Sequence, residues 1–221
     1  MQNISITILR KPIKNMYIRI QRDRTVLVTV PLHADEPIIQ KFISAHKEWI
    51  LKSLRLVKTV KKHLYKEGES HYLLGKERIL HISTGKINQC ILKNEEIYMT
   101  IRNESVDREK LFLQFAKEML KKYLDYYISK WSSSMGVSYP SYSIRRTRSR
   151  WGSCNVHAKR LSFSLELISK PPICIELVVV HELNHLLEPS HNDRFHRLMK
   201  ERLPDYKERQ MILTRSEREF N

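Results

Sequence analysis

The chain has 221 residues, 41% of them hydrophobic, and its 40 lysines and arginines outnumber 24 aspartates and glutamates to give a formal charge of +16. This length accommodates one large domain or two small ones, and the apolar content excludes a disordered chain. The charge favours an anionic partner, such as nucleic acid or an acidic substrate, although a merely solvated basic surface would have the same composition.

The cysteine content and the hydropathy pattern indicate the compartment. Cys90, Cys154 and Cys174 are odd in number and far apart, so neither a disulfide framework nor a thiolate zinc site is expected. The first residues alternate apolar and polar side chains, unlike a signal peptide. The longest apolar stretch, at 173–180, is too short to cross a membrane. We therefore expect a cytoplasmic protein that does not bind or span a membrane.

The N-terminal part is predicted to be rich in β-structure. Short β-prone segments occupy residues 4–10, 16–21 and 25–30, and the last two flank a hairpin turn. An amphipathic helix is predicted over residues 36–57, after Asp35 as N-cap and with Pro37 in its first turn. A further β section follows over residues 65–101.

The C-terminal part mixes helices with a short strand. A helix is predicted over residues 107–131, and residues 132–136 end it. A basic loop and the alternating strand RLSFSLEL precede Pro171-Pro172 and a third helix. The fold class is therefore α+β, with a β-rich region at 1–105 that holds one long helix and a second region at 106–221. Separate folding of the two regions and their packing as one unit are both compatible with this pattern.

The third helix carries H-E-x-x-H, at His181-Glu182-Leu183-Asn184-His185. Residues four apart project from the same face of a helix, so both imidazoles can bind one cation. Glu182 can lie beside the metal, within reach of a metal-bound water, as in zinc peptidases. A buried helix with two partly exposed histidines is the alternative interpretation.

A third ligand is predicted after Pro189, which should end the helix near Leu187. A capping box of Ser190 and Asp193 would start a helix over residues 191–202, with His191 in its first turn and near the metal. His196 is the alternative candidate for the third ligand. If it is not a ligand, it is expected to lie on the surface or to contact the ligands. The remaining histidines show no clustering along the chain and are interpreted as ordinary surface or core residues: His33, His46, His63, His71, His81 and His157.

This donor set predicts amide hydrolysis at one zinc ion per chain. Three imidazoles leave a tetrahedral position open for water, whose proton Glu182 would take and pass to the leaving amine. The group that stabilises the oxyanion stays open among Arg148, Arg150, Tyr206 and backbone donors of residues 151–154.

The basic loop RRTRSRWGSC carries four arginines next to Trp151. Arginine beside an aromatic ring is typical of a phosphate- or base-contacting surface, and such a loop can also line a substrate cleft. Alternatively, Trp151 is a core anchor, the preferred interpretation, and Arg145, Arg146, Arg148 and Arg150 point to solvent. Gly152 indicates a tight turn or a close backbone approach.

Three stretches extend the motif: RTRSRWGSC, LSFSLELISKPP and IELVVVHELNHLLEPSHNDRFHRLMKERLPDY. They resemble the YgjP-like metallopeptidase domain, a relative of the WLM and SprT/Spartan zinc proteases, and KEWILKSL and YKEGESHYLLGKE extend the resemblance toward the N-terminus. The resemblance implies a zincin-like C-terminal part whose H-E-x-x-H helix packs on a small sheet.

Residue by residue, the resemblance implies zinc ligands at His181, His185 and His191, and Glu182 as general base. It places Arg150, Trp151, Gly152 and Ser153 near the site without defined roles. His196 departs from the family, which usually has an aromatic residue after Phe195. Asn184 stands where a small residue is common, and we expect it on the outer face of the helix.

Three functions compete at this stage. The first is a zinc-dependent peptidase acting on proteins or peptides. The second is a nucleic-acid-associated protease acting on DNA-bound proteins, which the charge favours although no recognised DNA-binding motif is present. The third is a non-enzymatic basic binding module with a structural metal site, and Glu182 counts against it because a structural site does not need that carboxylate.

Overall fold

The N-terminal strands form where β-branched residues alternate along the chain. A computed structural model of the protein describes residues 5–21, 24–56, 63–147 and 149–219. Its first strands are β1 (Ile6–Lys11), β2 (Tyr17–Ile20) and β3 (Val26–Pro31). The central strand β3 pairs parallel with β1 and antiparallel with β2. Its alternate valines, Val26, Val28 and Val30, point into a small core.

The helix predicted over residues 36–57 is two consecutive helices, α1 (Glu36–Ala45) and α2 (Lys47–Leu56). His46 separates them because its φ of −102° and ψ of 8° leave the helical range. Residue 57, the predicted end, lies outside the described residues. The buried side chains of these helices, which include Ile39 and Ile50, pack on the valines of β3.

A second sheet follows, with strands β4 (Ser70–Leu73), β5 (Lys76–Thr84), β6 (Gln89–Lys93) and β7 (Glu96–Ile101). The strand order is β4-β5-β7-β6, with β5 and β7 parallel and the outer pairs antiparallel. One face of the sheet is apolar and buried through Leu80, Ile97 and Met99.

The long helix α3 (Arg108–Met135) covers part of this core with a stripe of side chains spaced by about one turn, from Phe112 to Ile128. Its start is capped by Asp107, whose side chain accepts a hydrogen bond from the Lys110 N–H. Gly136 ends it at a φ of 62°, which glycine adopts without strain. The helix predicted over residues 107–131 is therefore present and one turn longer.

A third sheet consists of β8 (Ser141–Arg145), β9 (Gly152–Asn155) and β10 (Arg160–Ser164), in the order β8-β10-β9. Central β10 runs parallel to β8 and antiparallel to β9. The predicted strand at 160–167 ends at Ser164. The Ser164 side chain accepts from the Glu166 N–H and begins a 3-10 helix, Leu165–Ser169, instead.

The chain then forms α4 (Pro172–Asn184), α5 (Asp193–Arg202) and α6 (Tyr206–Glu219). With three small mixed sheets and six α-helices in the described ranges, the fold is α+β, as predicted. Among the helices that the structure describes, none combines the length and apolarity needed to span a bilayer.

The chain divides into two compact units, residues 1–62 and 63–220, rather than at the predicted boundary near residue 105. The reason is a shared core, because the side chains of β5, β7, α3 and α4 form one buried cluster. Backbone hydrogen bonds also join the β4–β5 turn to the 3-10 helix, from Leu74 to Ile168 and from Gly75 to Ser169.

Candidate metal centre

Helix α4 and its C-cap residue carry two histidines and a glutamate, and His181 and Glu182 line one cavity. The α4 residues from Cys174 to Val180 are all buried, so the packing around it fixes the helix in place. The rings of His181 and His185 lie with centroids 4.9 Å apart, one helical turn from each other. Glu182, between them in sequence, is only 5% exposed.

The turn after α4 brings a third histidine to the first two. The helix ends at Asn184, and the Glu188 N–H still bonds to the Asn184 carbonyl at 2.8 Å before Pro189 redirects the chain. The predicted capping box is wrong: the Asn192 side chain caps α5 by accepting from the Phe195 N–H at 3.0 Å. His191 therefore precedes the helix instead of occupying its first turn.

One nitrogen from each of His181, His185 and His191 lies within 4.8 Å of the other two. The Nε2 atoms of His181 and His191 are 3.0 Å apart. Two imidazole nitrogens on a tetrahedral zinc, each at about 2.05 Å, would be about 3.3 Å apart. The donor set and its spacing therefore fit a zinc ion with only small side-chain adjustments.

The surroundings of two of these rings keep them neutral, which is the form that binds a metal. Burial, and then the neighbouring histidines, lowers the pKa of His181 to about 4. Burial also lowers the pKa of His185. Nδ1 of His185 lies 3.2 Å from the Glu188 carbonyl oxygen, which can only accept, so this nitrogen carries the proton and Nε2 keeps its lone pair.

Gly152 on β9 packs closely against the Glu182 side chain. A Cβ at this position would lie 2.6 Å from Oε1 of Glu182 and 2.8 Å from its Cγ. The close backbone approach expected of Gly152 is therefore an approach to the candidate general base. Burial raises the pKa of Glu182 to about 8, against the opposing effect of Arg150.

A cavity of about 420 Å³ opens beside these residues, with His181, Glu182 and His191 in its lining. The rest of the lining is largely apolar and aromatic, and includes Trp151, Phe195, Met199, Leu213 and Tyr206. Sequence reasoning named Trp151 and Tyr206 but missed the other three. The apolar residues of α5 and α6 at helical spacing were the available signal, and they are equally typical of a core.

His196 and Tyr206 lie together on the cavity wall formed by α5 and α6. The Tyr206 hydroxyl is 3.5 Å from Nδ1 of His196, and the two rings are stacked at a small angle. Because the cluster of possible ligands contains His191 and not His196, His196 is placed beside the donor set.

The structure gives a partner for one of the arginines in the basic loop. Arg146 forms an ion pair with Glu109 at 2.8 Å, while Arg145 and Arg150 are exposed. Arg148 lies outside the described residues. Nucleic-acid contact through this loop stays a prediction.

The Trp151 side chain is half-buried and contacts both the core and the cavity. The ammonium group of the buried Lys170 lies 5.1 Å from the centroid of the Trp151 ring, and this cation–π contact stabilises the position of the indole. Ser153, which follows Gly152 on β9, pairs with Ser162 of β10.

The expectation for Asn184 is wrong, because α4 has no outer face at this position. The side chain is fully buried, and its amide nitrogen and oxygen have no hydrogen-bond partner among the described residues. Asn184 follows a stretch of α4 that is buried throughout from Cys174 to Val180, so its side chain lies in the same packed interior. The uninterrupted run before the motif was the signal for this burial.

Comparison with known proteins places the chain in the class of metallopeptidases. A family model described as "YgjP-like, metallopeptidase domain" matches residues 14–216. The chain therefore belongs to the YgjP-like family, which confirms the resemblance in the sequence and supports action on proteins or peptides.

Other comparisons add little. No curated protein matches the chain. Among solved structures, the metallopeptidase zymogen of Pyrococcus abyssi abylysin is similar to part of it, at 17% identity over 42% of this chain and 91% of its own, with a TM-score of 0.33. A similarity this weak does not bear on the function of this chain.

Proposed function

We propose that the chain is a zinc-dependent peptidase. Its zinc ion, at which amide bonds of the substrate are hydrolysed, would be held by His181, His185 and His191. The observation that carries this proposal is the cluster of three imidazoles, gathered from α4 and the turn after Pro189, beside the buried Glu182. A structural site would not need an adjacent carboxylate or an open cavity. Contact of α4 with β9 supports a zincin-like arrangement of the C-terminal part.

The three histidines would hold one zinc ion through neutral imidazoles, with a position left for water. The ion would supply Lewis acidity that favours deprotonation of the water and polarises the scissile carbonyl. His181 and His191 line the cavity, and the His185 ring is held by its bond to the Glu188 carbonyl.

Glu182 would act as the general base and then as the general acid. One carboxylate oxygen takes a proton from the attacking water while the oxygen–carbon bond forms. The same group then gives this proton to the leaving nitrogen as the carbon–nitrogen bond breaks, so Glu182 ends in its starting state. Packing against Gly152 limits the positions that the carboxylate can occupy.

Tyr206 is the side chain that we propose to stabilise the developing oxyanion, with its hydroxyl as donor. It shares the cavity with Glu182 and His191 and is itself only 8% exposed. His196 lies next to the hydroxyl and would orient it. Arg150 would add positive charge near the carboxylate, in line with its effect on the pKa of Glu182.

The decisive experiment compares zinc content and casein cleavage in the wild type and in Glu182→Gln. We expect the variant to keep its zinc and to lose activity by about 100-fold to 10,000-fold, the usual contribution of a general base. Glu176→Gln is the matched control, because it removes a second buried carboxylate from the same helix away from the histidines. Unchanged cleavage by Glu182→Gln would contradict the proposed role.

The ligand assignment has its own test. His191→Ala should lower zinc content sharply because it removes one of three donors, whereas His196→Ala should keep the zinc. Elemental analysis of both purified variants decides between them. Retention of zinc by His191→Ala together with its loss from His196→Ala would move the third ligand to α5.

A further inference from the structure

A second pair of histidines, eight residues apart, lies in contact in a part of the chain well before the H-E-x-x-H motif. The rings of His63 and His71 stack with centroids 4.4 Å apart and an angle of 29°. Glu69 lies with them, and Nδ1 of His63 is 2.9 Å from its Oε1 atom. One ligand atom from each of the three side chains lies within 4.8 Å of the others.

His71 is the residue whose surroundings point to a missing ligand. It is only 3% exposed, and its Nε2 atom has no hydrogen-bond partner in the part of the chain that the structure describes. Tyr65 stacks on the ring and Phe112 packs against it, with centroid distances of 5.2 and 4.5 Å. A buried imidazole nitrogen without a partner is unfavourable, and a bound cation would remove this cost.

Glu69 is held in a fixed position before any ligand arrives. Its carboxylate accepts from the backbone N–H groups of Leu64 and Lys66, each at 3.1 Å. Among the described residues, its ion-pair partner is His63 rather than a lysine or an arginine. The negative charge is therefore available to offset a cation, and oxygen beside two imidazoles is a donor set that suits zinc.

One side of this group is open to solvent. His63 is half-exposed, at 46% of its side chain, and leaves a route by which the ion enters.

We propose that His63, Glu69 and His71 form a second zinc site, separate from the one on α4. The bound ion completes the environment of His71 and ties residues 63–66 to strand β4, at the start of the second unit. In the described residues, no second carboxylate lies among these donors, so the site has a structural rather than a hydrolytic role. The proposal does not depend on the peptidase function.

The test is zinc stoichiometry in the full chain, stripped with a chelator and titrated with Zn²⁺ in a calorimeter. We expect two equivalents in the wild type, one in His63→Ala and one in the double variant His181→Ala/His185→Ala. The double variant isolates the second site, so its result does not depend on whether the first site is catalytic. His157→Ala, which changes an exposed histidine outside both groups, should keep two equivalents.

Glu69→Gln provides a variant that keeps the shape of the side chain and an oxygen acceptor for the backbone donors. We expect it to weaken zinc binding at this site by at least about tenfold, measured in the His181→Ala/His185→Ala background. Co²⁺ absorption in the same background should show a tetrahedral site that disappears with His63→Ala. Absence of any bound Zn²⁺ in the double variant, or two equivalents retained in His63→Ala, would overturn the proposal.

Discussion

At the scale of single residues, Gly152 is the position where a small change most directly tests the geometry of the candidate base. Gly152→Ala would place a methyl group 2.6 Å from Oε1 of Glu182, closer than such contacts occur. The Glu182 side chain must then move, and displacement by about 1 Å costs on the order of 100-fold in rate. We expect kcat for peptide cleavage to fall by that factor while zinc content is unchanged.

Gly85→Ala is the matched control, since its Cβ would meet Thr100 at 2.5 Å in the β4–β7 sheet. It should lower thermal stability without changing kcat per folded molecule. Equal losses of kcat in both variants would mean that Gly152 acts through general stability and not through Glu182.

Tyr206→Phe tests the proposed oxyanion donor because it removes a hydroxyl and keeps the ring. Loss of one such donor costs on the order of 100-fold in kcat. We expect kcat to fall by about this factor with little change in KM, since the interaction forms in the transition state. Tyr126→Phe, at an exposed tyrosine of α3, is the control and should leave both constants unchanged. A change confined to KM would instead assign Tyr206 to substrate binding.

Some contacts between individual residues could be predicted from the sequence pattern, and others could not. The meeting of His181 and His185 follows from helical spacing alone, so it could be predicted. His71 could not be recognised as a buried histidine near His63, because that contact depends on how β4 packs against the turn before it. The packing of Gly152 on Glu182 likewise joins a strand to a helix, and no local pattern encodes it.

At the scale of elements, Glu176 fastens α4 to two neighbouring helices. Its Oε1 atom accepts from Lys130 at 2.8 Å and from the Trp131 indole at 2.9 Å, both on α3. Its Oε2 atom accepts from Arg209 of α6 at 2.7 Å. Because the carboxylate is buried, Glu176→Ala removes the acceptor that these three donors share, and Arg209 keeps its bond to Asp205. We expect the free energy of unfolding in urea to fall by about 3 kcal/mol.

Glu118→Ala, at an exposed glutamate of α3, is the control for this substitution and should change stability little. A similar loss in both variants would mean that the buried network contributes nothing beyond an ordinary surface carboxylate.

The same network predicts how stability depends on pH. Burial alone would raise the pKa of Glu176, but hydrogen bonds from Lys130, Arg209 and Trp131 outweigh it, so the folded pKa lies below 4.5. A lowered pKa means that the unfolded chain binds the proton first. The stabilisation is therefore complete above the unfolded pKa and is lost as pH falls through the folded one.

Urea unfolding at about pH 7 and about pH 3 measures this loss as the difference between wild type and Glu176→Gln. We expect the difference to shrink at the lower pH, because the wild-type carboxyl loses its charge as pH falls through its folded pKa. A difference that stays constant over this range would show that the charge of Glu176 does not contribute.

Element boundaries were harder to predict than the elements themselves. The helix after Asp107 was recognised because apolar residues recur along it at helical spacing. The break at His46 was not, since its neighbours keep a helical pattern across it. The cap of α5 was misplaced because Ser190 and Asn192 are both good caps, and only the path of the chain after Pro189 selects the second.

At the scale of the whole molecule, the metal centre and the β4–β7 sheet depend on one core. The order of predicted elements suggested a boundary near residue 105, but α3 packs on the sheet before it as well as on α4 after it. Such packing joins residues distant in sequence and leaves no compositional signal. We therefore propose that the unit at residues 63–220, and not the region at 106–221, is the smallest part that forms the metal centre.

Two fragments test this division, one covering residues 63–221 and the other residues 106–221. The longer one keeps the buried cluster that spans Tyr65 to Leu213, so we expect cooperative thermal unfolding by circular dichroism and zinc binding that needs His181 and His185. The shorter one lacks β4 to β7 and exposes the apolar side chains of α3 that they cover, so it should not unfold cooperatively. Cooperative unfolding and zinc binding by residues 106–221 alone would instead place the boundary near residue 105, because the sheet would then be dispensable for the core beneath the histidines.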